Sequence, residues 1–146
     1  MKARAYQEEA LALQRELGLK DGLTASLNSL GDLARQAGDL DAARALLSES
    51  ISLCRELGGQ RAMAYALEAF AYLAQAEGKN ERAVRHFGAA DALREKIGTP
   101  RSPAERAPTD RALADLRAAL GEEVFTREWE AGRAMDVDKA AAYALT

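Results

Sequence analysis

An all-α fold of stacked helical hairpins is predicted for this chain by a repeated phrase, a fixed spacing and the residues it uses. Glu9-Ala-Leu-Ala-Leu-Gln-Arg-Glu-Leu-Gly18, Glu49-Ser-Ile-Ser-Leu-Cys-Arg-Glu-Leu-Gly58 and Ala89-Ala-Asp-Ala-Leu-Arg-Glu-Lys-Ile-Gly98 are three versions of one phrase. Their closing glycines are spaced by 40 residues in both steps, so nothing is inserted or deleted between copies. A fixed period of that size marks a stacked repeat, in which no single unit can bury its own apolar face. The chain is also rich in Ala, Leu, Arg and Glu, with all three prolines confined to residues 100–108, which is the usage of a helical protein.

Each element follows from its apolar spacing. Lys2 to Leu17 sets Ala3, Tyr6, Ala10, Leu13 and Leu17 on one helical stripe, and Gly18 offers the left-handed position that ends it. A second helix from about Asp21 to Ala37 turns Leu23, Leu27, Leu30, Leu33 and Ala34 inward, and Gly38-Asp39 reverses the chain. Leu40 to Leu57 carries Ala43, Leu46, Leu47, Ser50, Ile51, Leu53 and Leu57. The next copy places Met63, Leu67, Phe70, Leu73 and Ala74 on Arg61 to Glu77, with Gly78 where Gly38 stood. Asn80 to Ile97 completes it with Ala83, Phe87, Ala90, Leu93 and Ile97. Residues 1–98 are therefore one second helix followed by two full hairpins.

After Gly98 the pattern breaks. Pro100, Pro103 and Pro108 predict a proline-rich connector over 99–108, with room for a short turn at Pro103 to Arg106. A helix is expected to resume at Thr109 with Leu113, Leu116 and Leu120, then Glu122 to Gly132 with Val124, Phe125 and Trp129, then Val137 to Leu145 capped by Asp136. Gly121 falls 43 residues after Gly78, so residues 109–146 read as a degenerate third pair, three residues out of register, with a capping helix.

Composition excludes several functions. Twenty Lys and Arg face 23 Asp and Glu with the signs mixed, which is not the basic stripe of a nucleic-acid-binding surface. No apolar run is long enough to cross a membrane and the first residues lack a secretory signal, so a cytoplasmic location is expected. Neither metal nor cofactor is expected, because the one histidine, His86, and the one cysteine, Cys54, are on different helices with no ligand spacing. Cys54 shares its repeat position with Gln14 and Arg94, which predicts partial exposure, and His86 reads as packing. Gly58-Gly59 lacks the following Lys-Ser/Thr of a phosphate loop, and Phe125 with Trp129 reads as the core of the cap. No nucleophile and base are paired, so an enzyme is not expected.

Leu30-Gly31, the turn Gly38-Asp39-Leu40-Asp41-Ala42-Ala43 and the following Ser50-Ile51-Ser52-Leu53 resemble a tetratricopeptide repeat. Leu27 and Leu67 match its large first-helix anchor and Ala43 and Ala83 its second-helix alanine; Phe87 stands at the aromatic position. The period is 40 residues where that family's is about 34, and the family's closing proline is missing. The Arg-Glu-Leu-Gly joint and the tail Leu-Gly-Glu-Glu-Val-Phe…Trp-Glu-Ala-Gly-Arg are similar to the carboxy-terminal repeat regions of large bacterial signal-transducing ATPase regulators, including those ending in LuxR-type DNA-binding domains. The resemblance implies a right-handed superhelical solenoid with a carboxy-terminal helical cap, used for protein–protein interaction rather than catalysis.

It also implies that the first helices line a concave face. The outward positions there are Ala25, Asn28, Asp32 and Arg35 in one copy and Tyr65, Glu68, Tyr72 and Gln75 in the next. Tyrosines among amides and mixed charges suit a protein- or peptide-binding surface, since tyrosine offers contact area at small entropic cost. Asp32 and Glu68 oppose capture of a terminal carboxylate. The reading is a non-enzymatic interaction or sensing module whose partner is a protein segment or another domain of the parent chain. The alternative is self-association: Lys2 to Leu17 is a second helix lacking its own first helix, which leaves an apolar end for a homodimer. Light scattering across a concentration series separates the two, a strict monomer excluding the alternative.

Overall fold

The computed structural model describes residues 2–17, 20–57 and 59–146. The joint glycines Gly18 and Gly58 and the side chains of Ala3, Tyr6 and Leu17 lie outside the described residues. Among the described residues there are eight helices and no strand: α1 Lys2–Leu17, α2 Lys20–Gln36, α3 Leu40–Leu57, α4 Gln60–Ala76, α5 Asn80–Ile97, α6 Pro103–Leu120, α7 Glu122–Arg133 and α8 Val137–Leu145. The chain is a stack of helical hairpins, α2 with α3 and α4 with α5, closed by three further helices.

The repeat is visible in the backbone bonds themselves. At the first turn Gly38 has φ +84°, Asp39 N–H donates to Ala34 O at 2.9 Å and Gly38 N–H to Arg35 O at 3.0 Å. At the second, Gly78 has φ +78°, Lys79 N–H donates to Ala74 O at 2.9 Å and Gly78 N–H to Gln75 O at 3.0 Å. This paired closure satisfies the last helical carbonyls, and its left-handed residue is one that glycine alone adopts without cost. The inward residues are buried: Leu47, Ile51, Leu67, Phe70 and Leu73 in a central core, with Leu27 and Phe87 in smaller clusters on either side. At Gly31 a Cβ would come within 2.6 Å of Leu47 Cδ2, so the Leu-Gly pair marks a close approach of α2 and α3. Cys54 is buried in this core, not partly exposed as its polar repeat partners suggested.

The carboxy-terminal third departs from expectation at its start. Residues 103–108 are not connector but the first turns of α6. Ser102 accepts from Glu105 N–H while Glu105 accepts from Ser102 N–H, a reciprocal capping box, and Pro103 sits at the helix start, where its missing donor is not needed. Pro108 is carried inside the helix. The connector shrinks to residues 99–102.

α7 lies directly against α5. A Cβ on Gly88 would stand 2.5 Å from the Trp129 carbonyl oxygen, and one on Gly132 would stand 2.1 Å from that of Arg85. Both distances are below any contact that real side chains make, so the two backbones touch through paired glycines. α8 closes the other side: Ala140, Ala141 and Ala144 join the core of α3, α4 and α5. Arg82 donates to the Tyr143 carbonyl at 2.5 Å and stacks on the Tyr143 ring at 4.4 Å, satisfying the end of α8.

Gly132→Ala is expected to destabilise the protein by about 2–3 kcal/mol, because a methyl group is forced into backbone that cannot yield. Urea unfolding measures this, and an unchanged midpoint would contradict the glycine contact.

Candidate concave interface

The ridge on α4 does not stand free. Glu68 is 7 % exposed, against the expectation that it faces solvent. Arg94 Nε bonds its Oε1, and Arg101 Nε bonds its Oε2 at 3.1 Å. Tyr72 Oη and Thr109 Oγ1 share a hydrogen bond at 2.9 Å, with the Tyr72 ring edge-on to Phe87 at 5.1 Å. Burial pushes the Tyr72 hydroxyl pKa up, against the Thr109 bond. Gln75 Nε2 donates to the Ala112 carbonyl at 3.4 Å. Tyr65 keeps a free edge, 36 % exposed, while the Arg94 guanidinium lies 4.8 Å over its ring. All four ridge residues of α4 thus meet α5, the connector or α6. The gap between α5 and α6, residues 98–102, is three residues longer than that between α3 and α4, residues 58–59, and α6 meets α4 through the Tyr72 and Gln75 bonds.

The ridge on α2 is more open. Asn28 Oδ1 accepts from Ser50 Oγ at 2.7 Å, which fixes its amide. Asp32 lies 3.9 Å from Arg35 Nε, and the Arg35 guanidinium reaches across to sit 5.2 Å over the Tyr72 ring, so the two ridges touch there. Burial raises the Asp32 pKa, Arg35 opposing and Glu68 adding to the rise. Asp32 Oδ1 and Arg35 Nε are buried without a hydrogen bond. Between α2 and α4 opens a cleft of about 480 Å³ lined by Ala25, Asn28, Ser29, Asp32, Ala62 and Tyr65, with Arg61 at its edge. The structure brings Asn28, Asp32 and Tyr65 to this cleft; Glu68, Tyr72 and Gln75 belong to the contact with α6 and its connector.

Arg94, Asp91 and Arg101 were missed by sequence reasoning. Arg94 is 3 % exposed although an arginine at the Cys54 position reads as surface. The available signal was the pairing of an acidic ridge residue with an arginine 26 positions on. His86 is also buried, its ring 6.0 Å from Phe70 and 5.2 Å from Tyr143, with Nε2 unpartnered. Burial first, then Arg82, Arg44 and Arg85, lower its pKa to about 3. Burial also raises the Cys54 thiol pKa, which disfavours the thiolate. Among the described residues no group of His, Cys, Asp or Glu is arranged to hold a metal ion, and no helix is long and apolar enough to cross a membrane.

The hairpins, their glycine closures and the small-residue approach at Gly31 match what comparison finds: the tetratricopeptide repeat family profile matches residues 1–56. The likeness to that family extends over those residues, fewer than half of the chain. Proteins of Mycobacterium tuberculosis and Mycobacterium bovis that bear the description "Putative HTH-type transcriptional regulator" are 39 % identical to it over 67 residues, 46 % of this chain. The chain spans only 8 % of the length of those relatives. No solved structure matches. The second tetratricopeptide-like hairpin, α4 with α5, lies beyond the matched residues and repeats the first through its turn geometry.

Folded His86 takes a proton only near pH 3, whereas the unfolded residue takes it near 6.5. The unfolded state therefore binds the extra proton between those values, and stability falls as pH drops through that window, by about 2 kcal/mol at pH 5. His86→Leu, which installs the residue found at Leu46 in the preceding copy, should remove about that much of the difference in urea stability between pH 7 and pH 5. An unaltered pH dependence would contradict the assignment.

Proposed function

We propose that this chain is a non-enzymatic interaction module of a larger bacterial transcriptional regulator, and that it binds a protein segment in the concave cleft between α2 and α4. The tetratricopeptide repeat supports an interaction role, and the regulator relatives support a place in regulation. The observation that carries the site is the cleft itself. It pairs apolar lining at Ala25 and Ala62 and an exposed tyrosine with a carboxylate whose inner oxygen has no hydrogen bond. Tyr65 arrives preorganised, because Arg94 lies over its ring, so little side-chain entropy remains to be lost on binding.

Asn28, Asp32 and Tyr65 are the contact residues in this reading, with Arg35 holding Asp32 and Tyr72 in place. Glu68, Tyr72 and Gln75 become supports that fix α6 and the far wall. The partner is a protein segment or another domain of the parent chain, and neither a cofactor nor a nucleic acid enters the mechanism.

A photo-crosslinking amino acid at position 65, expressed within the full-length parent in a bacterial host, should give a defined crosslinked peptide by mass spectrometry. The same group at Glu81, on the exposed start of α5, should not. Asp32→Ala should cut the yield from position 65 by about tenfold, the loss expected for a central contact. Equal crosslinking from both positions would move the interface off the concave side.

A further inference from the structure

We propose that Glu68 and Asp91 form a socket for an arginine side chain, filled in cis by Arg101 and open to an arginine-bearing protein segment when the connector of residues 99–102 swings away. The socket adjoins the α2–α4 cleft through Arg94, which bonds Glu68 and lies over the Tyr65 ring, but it is tested by an arginine probe and not by crosslinking from position 65.

The acceptors are built without the occupant. Glu68 on α4 has its Oε1 held by Arg94, whose side chain is 4 % exposed, and Asp91 on α5 has its Oδ2 held by Arg133 from α7. Each carboxylate keeps one oxygen for the visitor. Arg101 Nε takes Glu68 Oε2 at 3.1 Å and Arg101 Nη1 takes Asp91 Oδ1 at 3.3 Å. One planar fork bridging two carboxylates on different helices is a task for a guanidinium, and a lysine ammonium lacks the geometry.

The occupant differs in kind from its seat. Both carboxylates stand on repeat helices, whereas Arg101 stands in the non-helical connector. α6 beyond it buries only a narrow stripe of Thr109, Ala112 and Leu116, and its first turns are exposed at Pro103, Ala104, Arg106 and Ala107. Arg101 Nη2 is buried without a hydrogen bond, so the cis residue leaves part of its donor capacity unused. Charge complementarity names the ligand. Four carboxylates, Glu68, Asp91, Glu95 and Glu105, meet three arginines, Arg94, Arg101 and Arg133. With Arg101 withdrawn, four carboxylates face two arginines, and the vacancy is anionic and shaped for a guanidinium.

The test uses the whole chain with Arg101→Ala and, as a less severe change, Arg101→Gln, probed by N-acetylarginine amide. Each variant is expected to keep its far-ultraviolet circular dichroism and to bind the probe saturably at roughly millimolar affinity by calorimetry, at least about tenfold tighter than N-acetyllysine amide. The unaltered chain, its socket filled, should show no saturable binding, and Glu68→Gln added to either variant should abolish it. Absence of saturation in both variants, equal binding of the lysine probe, or binding to the unaltered chain would overturn the proposal. Loss of helicity in both variants would overturn it too, by showing that Arg101 is part of the fold and not a ligand carried by it.

Discussion

The paired glycines of α5 and α7 constrain everything after the second hairpin. Because Gly88 and Gly132 let the two backbones touch, α7 lies backbone to backbone on the flank of α5. The helix between them in sequence, α6, must then leave α5 and return to α7 through Gly121, whose φ is +85°. Its Ala112 and Leu116 share a core with Ala71 and Ala74 of α4 and Phe125 of α7, and beside that core Tyr72, Gln75 and Arg101 add long polar contacts. The mixed chemistry along α4 is thus a consequence of how the stack is closed.

That closure also explains which parts of the structure could be read from the sequence. The hairpins were legible because a repeat states each rule twice: Gly38 and Gly78, Leu27 and Leu67, Ala43 and Ala83 occupy the same environment, and agreement between copies exposes the pattern. The start of α6 was misjudged because three prolines suggest a break, whereas Pro103 is harmless at a first turn already capped by Ser102 and Glu105. The α4 ridge was legible as a face but not as an occupied one. Nothing in the spacing of Glu68, Tyr72 and Gln75 says that a later segment will lie on it. Gly88 did carry a signal, since the sister positions are Glu8 and Ser48, and a glycine that enters a helix against its own repeat marks a close approach.

Burial of Cys54 shows the limit of comparing copies. Its sister Arg94 is polar, and polarity was taken to imply exposure, yet both side chains are almost fully buried. The position faces inward in both hairpins and differs only in what meets it. Around Cys54 the neighbours are Met63 and the start of α8 at Val137, which a thiol satisfies by packing. Around Arg94 they are Glu68, Glu105 and the Thr99 carbonyl, which demand a cation. Burying such a pair gains little over apolar packing, but removing either member leaves a charge that cannot reach water. Its value to this fold is orientation: Arg94 places Glu68 and Tyr65 together.

The long period gives this arrangement its room. α3 and α5 each run 18 residues, and their last turns extend past the closing proline position of shorter repeats. On α3 the second half carries Ile51 and Cys54 into the core, and the stack continues. On α5 the same positions carry Asp91 and Arg94, followed by Glu95, and all three hold segments that come after Gly98: Arg101 and Arg133 on Asp91, Thr99 and Glu105 on Arg94, Arg133 on Glu95. These two repeat positions are apolar where the stack continues and charged where it ends. The chemistry beside α4 changes at the same point along the stack, because the charged residues Asp91 and Arg94 also hold the connector, Arg101 and the start of α6 next to Glu68.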